Sequence, residues 1–174
     1  GANVWVSRDG VLHLLLSKTD AFSEIGRLLK LGQIDITFSK GILRSKNFKQ
    51  QLIIAEGMVR IDASDGKNNI RIHCWADANK PVIHVEGESN FPFTVEAKNN
   101  MWRTSSRPLT GNERQSAYGV GFREEPFWSE VDTILESRHG IVWCHRNNSS
   151  IWKLTLENQN ILDFQHLAED PLLH

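Results

Sequence analysis

Apolar and polar residues alternate with a period of two along most of this chain, the pattern of strands with one wet face. Val4 and Val6 alternate with Asn3, Trp5 and Ser7, and an apolar run over 11–16 follows the turn Arg8-Asp9-Gly10, so residues 3–16 predict a hairpin. Apolar side chains on both of its faces place it in the interior. Gln33-Ile34-Asp35-Ile36-Thr37-Phe38 alternates cleanly, and residues 48–97 predict an antiparallel meander of five strands. If Glu56-Gly57 is a two-residue turn, Leu52 stands opposite Ile61 and Ile54 opposite Val59 on the core face, with Ile53 opposite Arg60 and Gln51 opposite Asp62 outside. After the turn at Asp65-Gly66, Ile70, Ile72, Cys74 and Ala76 point inward while Arg71, His73, Trp75 and Asp77 point outward. A four-residue loop, Ala78-Asn79-Lys80-Pro81, then sets Asp77 against Val82, Trp75 against His84, His73 against Glu86 and Arg71 against Glu88. Such complementary cross-strand pairs contribute roughly 0.2–1 kcal/mol each. Phe91, Phe93 and Val95 continue as one side of the fifth strand.

The alternation breaks twice. Residues 17–32, containing Ser17-Lys18-Thr19-Asp20 and Gly26-Arg27, are polar and charged and lie between two strand-like runs, which reads as a functional loop. Residues 103–127 hold few aliphatics and read as one long loop, of a length that is uncommon unless functional. Beyond it, residues 140–147 and 150–156 predict a last hairpin around Asn147-Asn148-Ser149. Ile161, Leu162, Phe164 and Leu167 then predict a short helix ending at Pro171. Many punctuated strands with hardly any helix between them give an all-β fold, an antiparallel two-sheet β-sandwich.

Composition narrows the picture. With 174 residues, 40% of them hydrophobic, the chain is read as one domain, 1–174, with a real core. Lys and Arg total 20 against 21 for Asp and Glu, so no summed field holds a polyanion or an anionic membrane surface. Neither nucleic acid nor membrane is expected as a partner, and no run of about 18 apolar residues is present to span a bilayer. The opening residues already read as a strand, so any signal peptide lies outside them. Cys74 and Cys144 are the only cysteines; they form a bridge or, the commoner state for a buried thiol, stay free. No Gly-rich phosphate loop, His-Glu-x-x-His, Gly-x-Ser-x-Gly or Cys-x-x-Cys occurs, so no cofactor, metal or catalytic residue is expected. Paired acids for glycoside hydrolysis stand about 5–9.5 Å apart, and sequence alone does not place Asp20, Asp77 or Glu86 in that way.

The candidate binding residues are Lys18, Asp20, Arg27, His73, Trp75, Asp77, His84, His145 and Arg146. Trp75 shares its strand face with Arg71, His73 and Asp77, as a sugar-stacking platform flanked by hydrogen-bonding groups would; an outer-face Trp packed under a loop reads the same way. His145-Arg146 before Asn147-Asn148 gathers donors at a hairpin tip, which suits either a ligand or a solvated turn. Lys18, Asp20 and Arg27 suit ligand contact or a local ion-pair network. Trp5 and Trp143 read as core.

Lys18-Thr19-Asp20-Ala21-Phe22, Arg27-Leu28-Leu29-Lys30-Leu31-Gly32, the block from Trp75-Ala76-Asp77 to Ile83-His84-Val85, and Ile141-Val142-Trp143-Cys144-His145-Arg146-Asn147 resemble successive blocks of an uncharacterised bacterial family. In that family they form the N-terminal β-sandwich of large proteins similar to α-L-fucosidase-type glycoside hydrolases. Asp170-Pro171-Leu172-Leu173-His174 resembles the point where the sandwich hands over to the next domain, and Gly1-Ala2-Asn3 the end of a Gly-Asn-Gly-rich loop, so the chain is read as a piece of a larger protein. Phe22 and Cys144 depart from the pattern, standing where Trp and an aromatic are expected. The resemblance implies a galactose-mutarotase-like sandwich, a periplasmic or secreted setting, a carbohydrate partner, and a C-terminal α/α toroid carrying the catalytic carboxylates. On that reading this chain is non-catalytic and contributes its 18–27 loop, with the 103–127 loop, to the rim of a glycan-cleaving cleft. Two alternatives stand beside it: a carbohydrate-binding module acting alone through His73, Trp75, Asp77 and His84, and a scaffold that binds nothing.

Overall fold

A computed structural model of the protein describes residues 1–117, 124, 126–138 and 140–173. These divide into two compact units, the first made of Gly1–Ser17 with Leu31–Asn100, the second of Lys18–Lys30 with the residues from Met101 onward.

The first unit is a β-sandwich. Its strands are β1 (Ala2–Val6), β2 (Val11–Phe22), β3 (Leu28–Phe38), β4 (Asn47–Ile53), β5 (Met58–Ser64), β6 (Asn69–Ala76), β7 (Ile83–Ser89) and β8 (Val95–Asn100), β2 and β3 running on into the second unit. One sheet has the order β1-β2-β3-β8 and the other β4-β5-β6-β7, with β1–β2, β3–β8, β4–β5, β5–β6 and β6–β7 all antiparallel. Leu12, Leu14, Ile36 and Phe38 from the first sheet share one core with Ile61, Ala63, Ile70, Ile72 and Cys74 from the second. That is the consequence of the period-two pattern: each strand turns its aliphatic side inward and its polar side to water. Gly10, at φ 80°, closes the opening hairpin where a Cβ would meet Arg44 Cγ at 2.6 Å, so the turn there requires glycine.

The outer ladder has the expected register, with Arg71 opposite Glu88, His73 opposite Glu86, Trp75 opposite His84, and the Asp77 N–H donating to Val82 O at 2.9 Å. The β4–β5 register differs by two residues: Leu52 faces Val59 and Gln51 faces Arg60. The reason is local. Residues Ile54–Glu56 form a 3₁₀ turn closed by Gly57 in the left-handed region, so the connection takes four residues instead of two. β4 is also an edge strand, which leaves Leu52 68% and Ile54 84% exposed. Only four of the five meander strands share a sheet; β8 pairs with β3 in the other layer, and it starts at Val95. Pro92, between Phe91 and Phe93, has no N–H to give a ladder, and Phe91 is instead buried in the core.

The second unit has a smaller core of Ile25, Leu109, Ala117 and Phe127, backed by Ile151 and Leu154. Its further elements are β9 (Arg107–Pro108), α1 (Gly111–Gln115), β10 (Trp128–Ser129), β11 (Thr133–Ser137), β12 (Gly140–Cys144) and α2 (Trp152–Asn158), followed by a short 3₁₀ helix over Leu162–Leu167 where a short helix was expected. The 103–127 segment is therefore not one loop: it carries β9, paired with β10, and α1, while 118–123 and 125 lie outside the described residues. The predicted last hairpin is also corrected. β12 pairs with β11, and residues 152–158 are helical. Ile151, Leu154 and Thr155 fall at i, i+3 and i+4, and over seven residues that spacing competes with a period of two.

Cys74 and Cys144 are free thiols, Cys74 buried in the sandwich core and Cys144 exposed; burial pushes the Cys74 thiol up to about 11. One thiol per chain is therefore expected to react with an aromatic disulfide reagent under native conditions and the second only on unfolding. Two fast thiols would contradict the buried position of Cys74. Ile72→Ala, at a position fully shielded from solvent, is expected to lower the unfolding free energy by about 2–5 kcal/mol in a urea titration.

Candidate functional site

Most of the stretch expected as a free loop is strand. Residues 17–22 extend β2 and 28–32 begin β3, so only 23–27 remain as a turn. That turn is tight: the Ser23 N–H donates to Arg27 O and the Gly26 N–H to Ser23 O, each at 2.9 Å, with Gly26 at φ 68°. Ser23, Glu24 and Ile25 are buried, Ile25 in the second core. The tip is held under, and the Arg27 side chain, itself only 14% exposed, turns to Glu113.

Beneath it lies a chain of buried charges. His145 has Nδ1 2.9 Å from Asp132 Oδ1 and Nε2 3.2 Å from Glu24 Oε1, while Arg103 Nε meets the same Asp132 oxygen at 2.7 Å and its Nη1 donates to Lys30 O at 2.8 Å. Asp132 has a side chain only 2% exposed, and the basic groups of Arg103 and His145 both face it within hydrogen-bond reach. The Glu24 hydrogen bond is the main influence raising the His145 imidazole above its ordinary value; burial opposes it and Asp132 adds to it. Burial pushes the Glu24 carboxyl up, but the His145 hydrogen bond, with backbone and charge contributions, outweighs it and leaves the group below its ordinary value. His145 is thus a member of a structural ion cluster, not a donor free at a hairpin tip. Arg146 beside it is exposed.

A cavity of about 480 Å³ opens next to this cluster, lined among others by Arg27, Lys30, Trp102, Arg103, Arg107 and Glu113. Glu113, on α1, binds two guanidiniums: Arg27 Nη1 reaches Oε1 at 2.7 Å, and Arg107, on β9, reaches Oε1 through Nη2 at 2.9 Å and Oε2 through Nη1 at 2.8 Å. Burial raises the Glu113 carboxyl, but the hydrogen bonds from Arg107 and Arg27 outweigh it, so the group is held ionised below its ordinary range. A carboxylate so held is a fixed acceptor and a poor general acid. Trp102 is 45% exposed, with the Lys30 ammonium over its ring at 5.9 Å. The site therefore combines an open aromatic face with donors and an acceptor in fixed positions, the composition by which polar ligands with apolar faces are bound.

Lys18 and Asp20 pair with each other at 2.5 Å on an exposed part of β2, and the expected three-member network is not formed because Arg27 turns to Glu113. In the first unit His73, Trp75, Asp77 and His84 do share one outer face. Trp75 and His84 are stacked with centroids 4.7 Å apart, and His84 Nε2 lies 3.5 Å from Asp77 Oδ2. One face of the Trp75 ring is thus taken by protein, and Asp77 is engaged by the backbone N–H groups of Asn79 and Lys80. Also in this unit, His13 lies 2.7 Å from both Ser7 Oγ and Asp35 Oδ1. The Ser7 hydroxyl also lies within hydrogen-bond reach of Asp9 and of Val11 O, and Trp5 stacks on His13 at 4.9 Å, so this row ties the opening hairpin to β3. A more open depression of about 660 Å³ there includes Asp62 and Arg71, which are paired at 2.8 Å.

Of the nine residues selected from the sequence, Arg27 alone lines the Trp102 cavity. Trp102, Arg103, Arg107, Glu113, Glu24 and Asp132 were not selected. The one available signal was Trp102-Arg103, an aromatic beside a cation where the strand pattern stops.

A family model described as a domain of unknown function (DUF5703) matches residues 1–174, and the chain belongs to that family. No curated protein and no solved structure gives a significant match.

The buried cluster makes stability depend on pH in both directions. His145, raised in the folded state, contributes stability that is complete below its ordinary 6.5 and is lost as pH rises through the folded value above it. Glu24, lowered in the folded state, contributes above its ordinary 4.5 and loses that contribution as pH falls through the folded value below it. The urea midpoint is therefore expected to be highest between about 4.5 and 6.5, and His145→Gln should cost about 3 kcal/mol within that window and flatten both limbs. A variant with wild-type pH dependence would contradict the assignment.

Proposed function

We propose that this member of the DUF5703 family is a non-catalytic β-sandwich module of a bacterial glycoside hydrolase acting on complex glycans, contributing a glycan-binding surface beside a cleft completed by an α/α toroid. The observation that carries the reading is the cavity around Trp102. An indole face exposed beside Arg27, Arg107 and Glu113, all mutually oriented by hydrogen bonds, offers a sugar ring its apolar C–H face to stack and its hydroxyls donors and an acceptor. The cavity lies at Arg27, on the segment whose sequence resembles the family's, and the ionised Glu113 suits binding better than proton donation.

A neighbouring domain is supported by exposed apolar surface. On the β11–β12 hairpin Ile134, Leu135, Ile141 and Val142 are all exposed, as are Phe164 and Leu167 further on, a density that a free surface rarely carries. A toroid packed on the module would cover it.

The second reading, a module binding sugars through Trp75, has a weaker basis because His84 already occupies one face of that ring. The two are separable on an immobilised panel of neutral and acidic glycans probed with the purified chain. Trp102→Ala is expected to reduce retention about tenfold while Trp75→Ala leaves it unchanged. The opposite result would move the site to the outer face of β6 and β7, and retention of no glycan would leave the scaffold reading.

A further inference from the structure

The cavity around Trp102 holds more positive charge than its own carboxylate can neutralise. Among the described residues, Arg27, Lys30, Arg103 and Arg107 line it against Glu113 alone. Asp132, which takes up Arg103, is buried and turned to His145. The single Glu113 is shared between Arg27 and Arg107. Among the described residues Lys30 pairs with no carboxylate and approaches the Trp102 ring at 5.9 Å, and the Arg107 side chain is about half exposed. The protein as a whole carries a formal charge of −1, so this excess is local and does not follow from a basic composition.

Resting on the glycan reading above, we infer that the Trp102 cavity selects glycans bearing an anionic group, a uronate carboxylate or a sulfate ester, with the sugar stacked on Trp102 and the anion held by Arg107 and Lys30. Guanidinium matches the planar geometry of a carboxylate or two oxygens of a sulfate, and Arg107 already makes that fork to Glu113. A ligand anion near Lys30 and the outer edge of Arg107 completes the charge balance that Glu113 leaves open. Arg27, mostly buried, and Arg103, fixed by Asp132 and Lys30 O, hold the wall of the site. No bond is made or broken; the step is recognition.

The test is calorimetric titration of the full chain with three probes: an oligogalacturonide tetramer, its carboxyl-reduced neutral counterpart, and a sulfated galactan oligomer. At least one acidic probe is expected to bind about tenfold more tightly than the neutral one, with the difference shrinking as salt is raised. Which acidic probe binds separates carboxylate from sulfate. Lys30→Gln, at an exposed position, should remove most of that difference and leave the neutral binding in place, while Arg107→Gln should weaken acidic binding more than neutral binding. Arg71→Gln, on the first unit, should change nothing. Equal binding of neutral and acidic probes, abolished by Trp102→Ala, would overturn the charge selection while keeping the glycan reading. Acidic binding unaffected by either cavity variant would place the anion elsewhere and overturn it too. Binding of none of the three would overturn the inference together with the reading it rests on.

Discussion

A charge removed from water has to meet its counter-charge within hydrogen-bond reach, and the second unit is built on that constraint. Asp132 lies almost wholly out of solvent between Arg103 and His145, and His145 in turn reaches Glu24. Removing His145 leaves Glu24 buried without an ion-pair partner among the described residues and Asp132 with Arg103 alone, which costs more than the pair itself contributes. The cluster therefore acts as a specification of geometry. Through it the turn at Glu24, the approach to β11 at Asp132 and the end of β12 at His145 keep fixed places within the unit. Arg103, bonded onward to Lys30 O, carries that order to the wall of the cavity.

The cavity repeats the device near the surface. Glu113 is ionised because two guanidiniums face it, and the guanidiniums are oriented because Glu113 faces them. Binding sites that must recognise a hydroxyl-rich or charged ligand gain from such preorganisation, since donors already held in place lose little freedom when the ligand arrives. The sandwich of the first unit achieves its rigidity differently, through aliphatic layers contributed alternately by two sheets. On its outer polar face Arg71 is bonded to Asp62 and Trp75 is stacked on His84.

What could be read from the sequence follows the range of the forces involved. The β6–β7 register was legible because Asp77 and the four residues after it form a turn whose hydrogen bonds are local, and because oppositely charged residues then fall into line. The β4–β5 register was not, since the 3₁₀ turn at Ile54 has no glycine–asparagine signature and merely displaces a pattern of period two by two. α2 was mistaken for a strand because a seven-residue segment with Ile151, Leu154 and Leu156 fits either period. The site was hidden for a different reason. His145 and Glu24 are 121 positions apart and Arg27 and Glu113 are 86 apart, so each ion pair is made by the fold and leaves no spacing to find. Arg27 was identified, yet its partner could not be, and the polar segment around it was read as a loop when its charges in fact decorate an extended strand pair and a buried turn.

Which indole meets a sugar decides between the Trp102 cavity and the outer face of β6 and β7. Assigned proton–nitrogen correlation spectra of the chain, recorded while a pectin-derived oligosaccharide mixture and its carboxyl-reduced form are titrated in, resolve each tryptophan side-chain N–H separately. The account predicts that the Trp102 indole signal shifts progressively with at least one of the two while the Trp75 signal stays in place. A shift at Trp75 with Trp102 unmoved would contradict it.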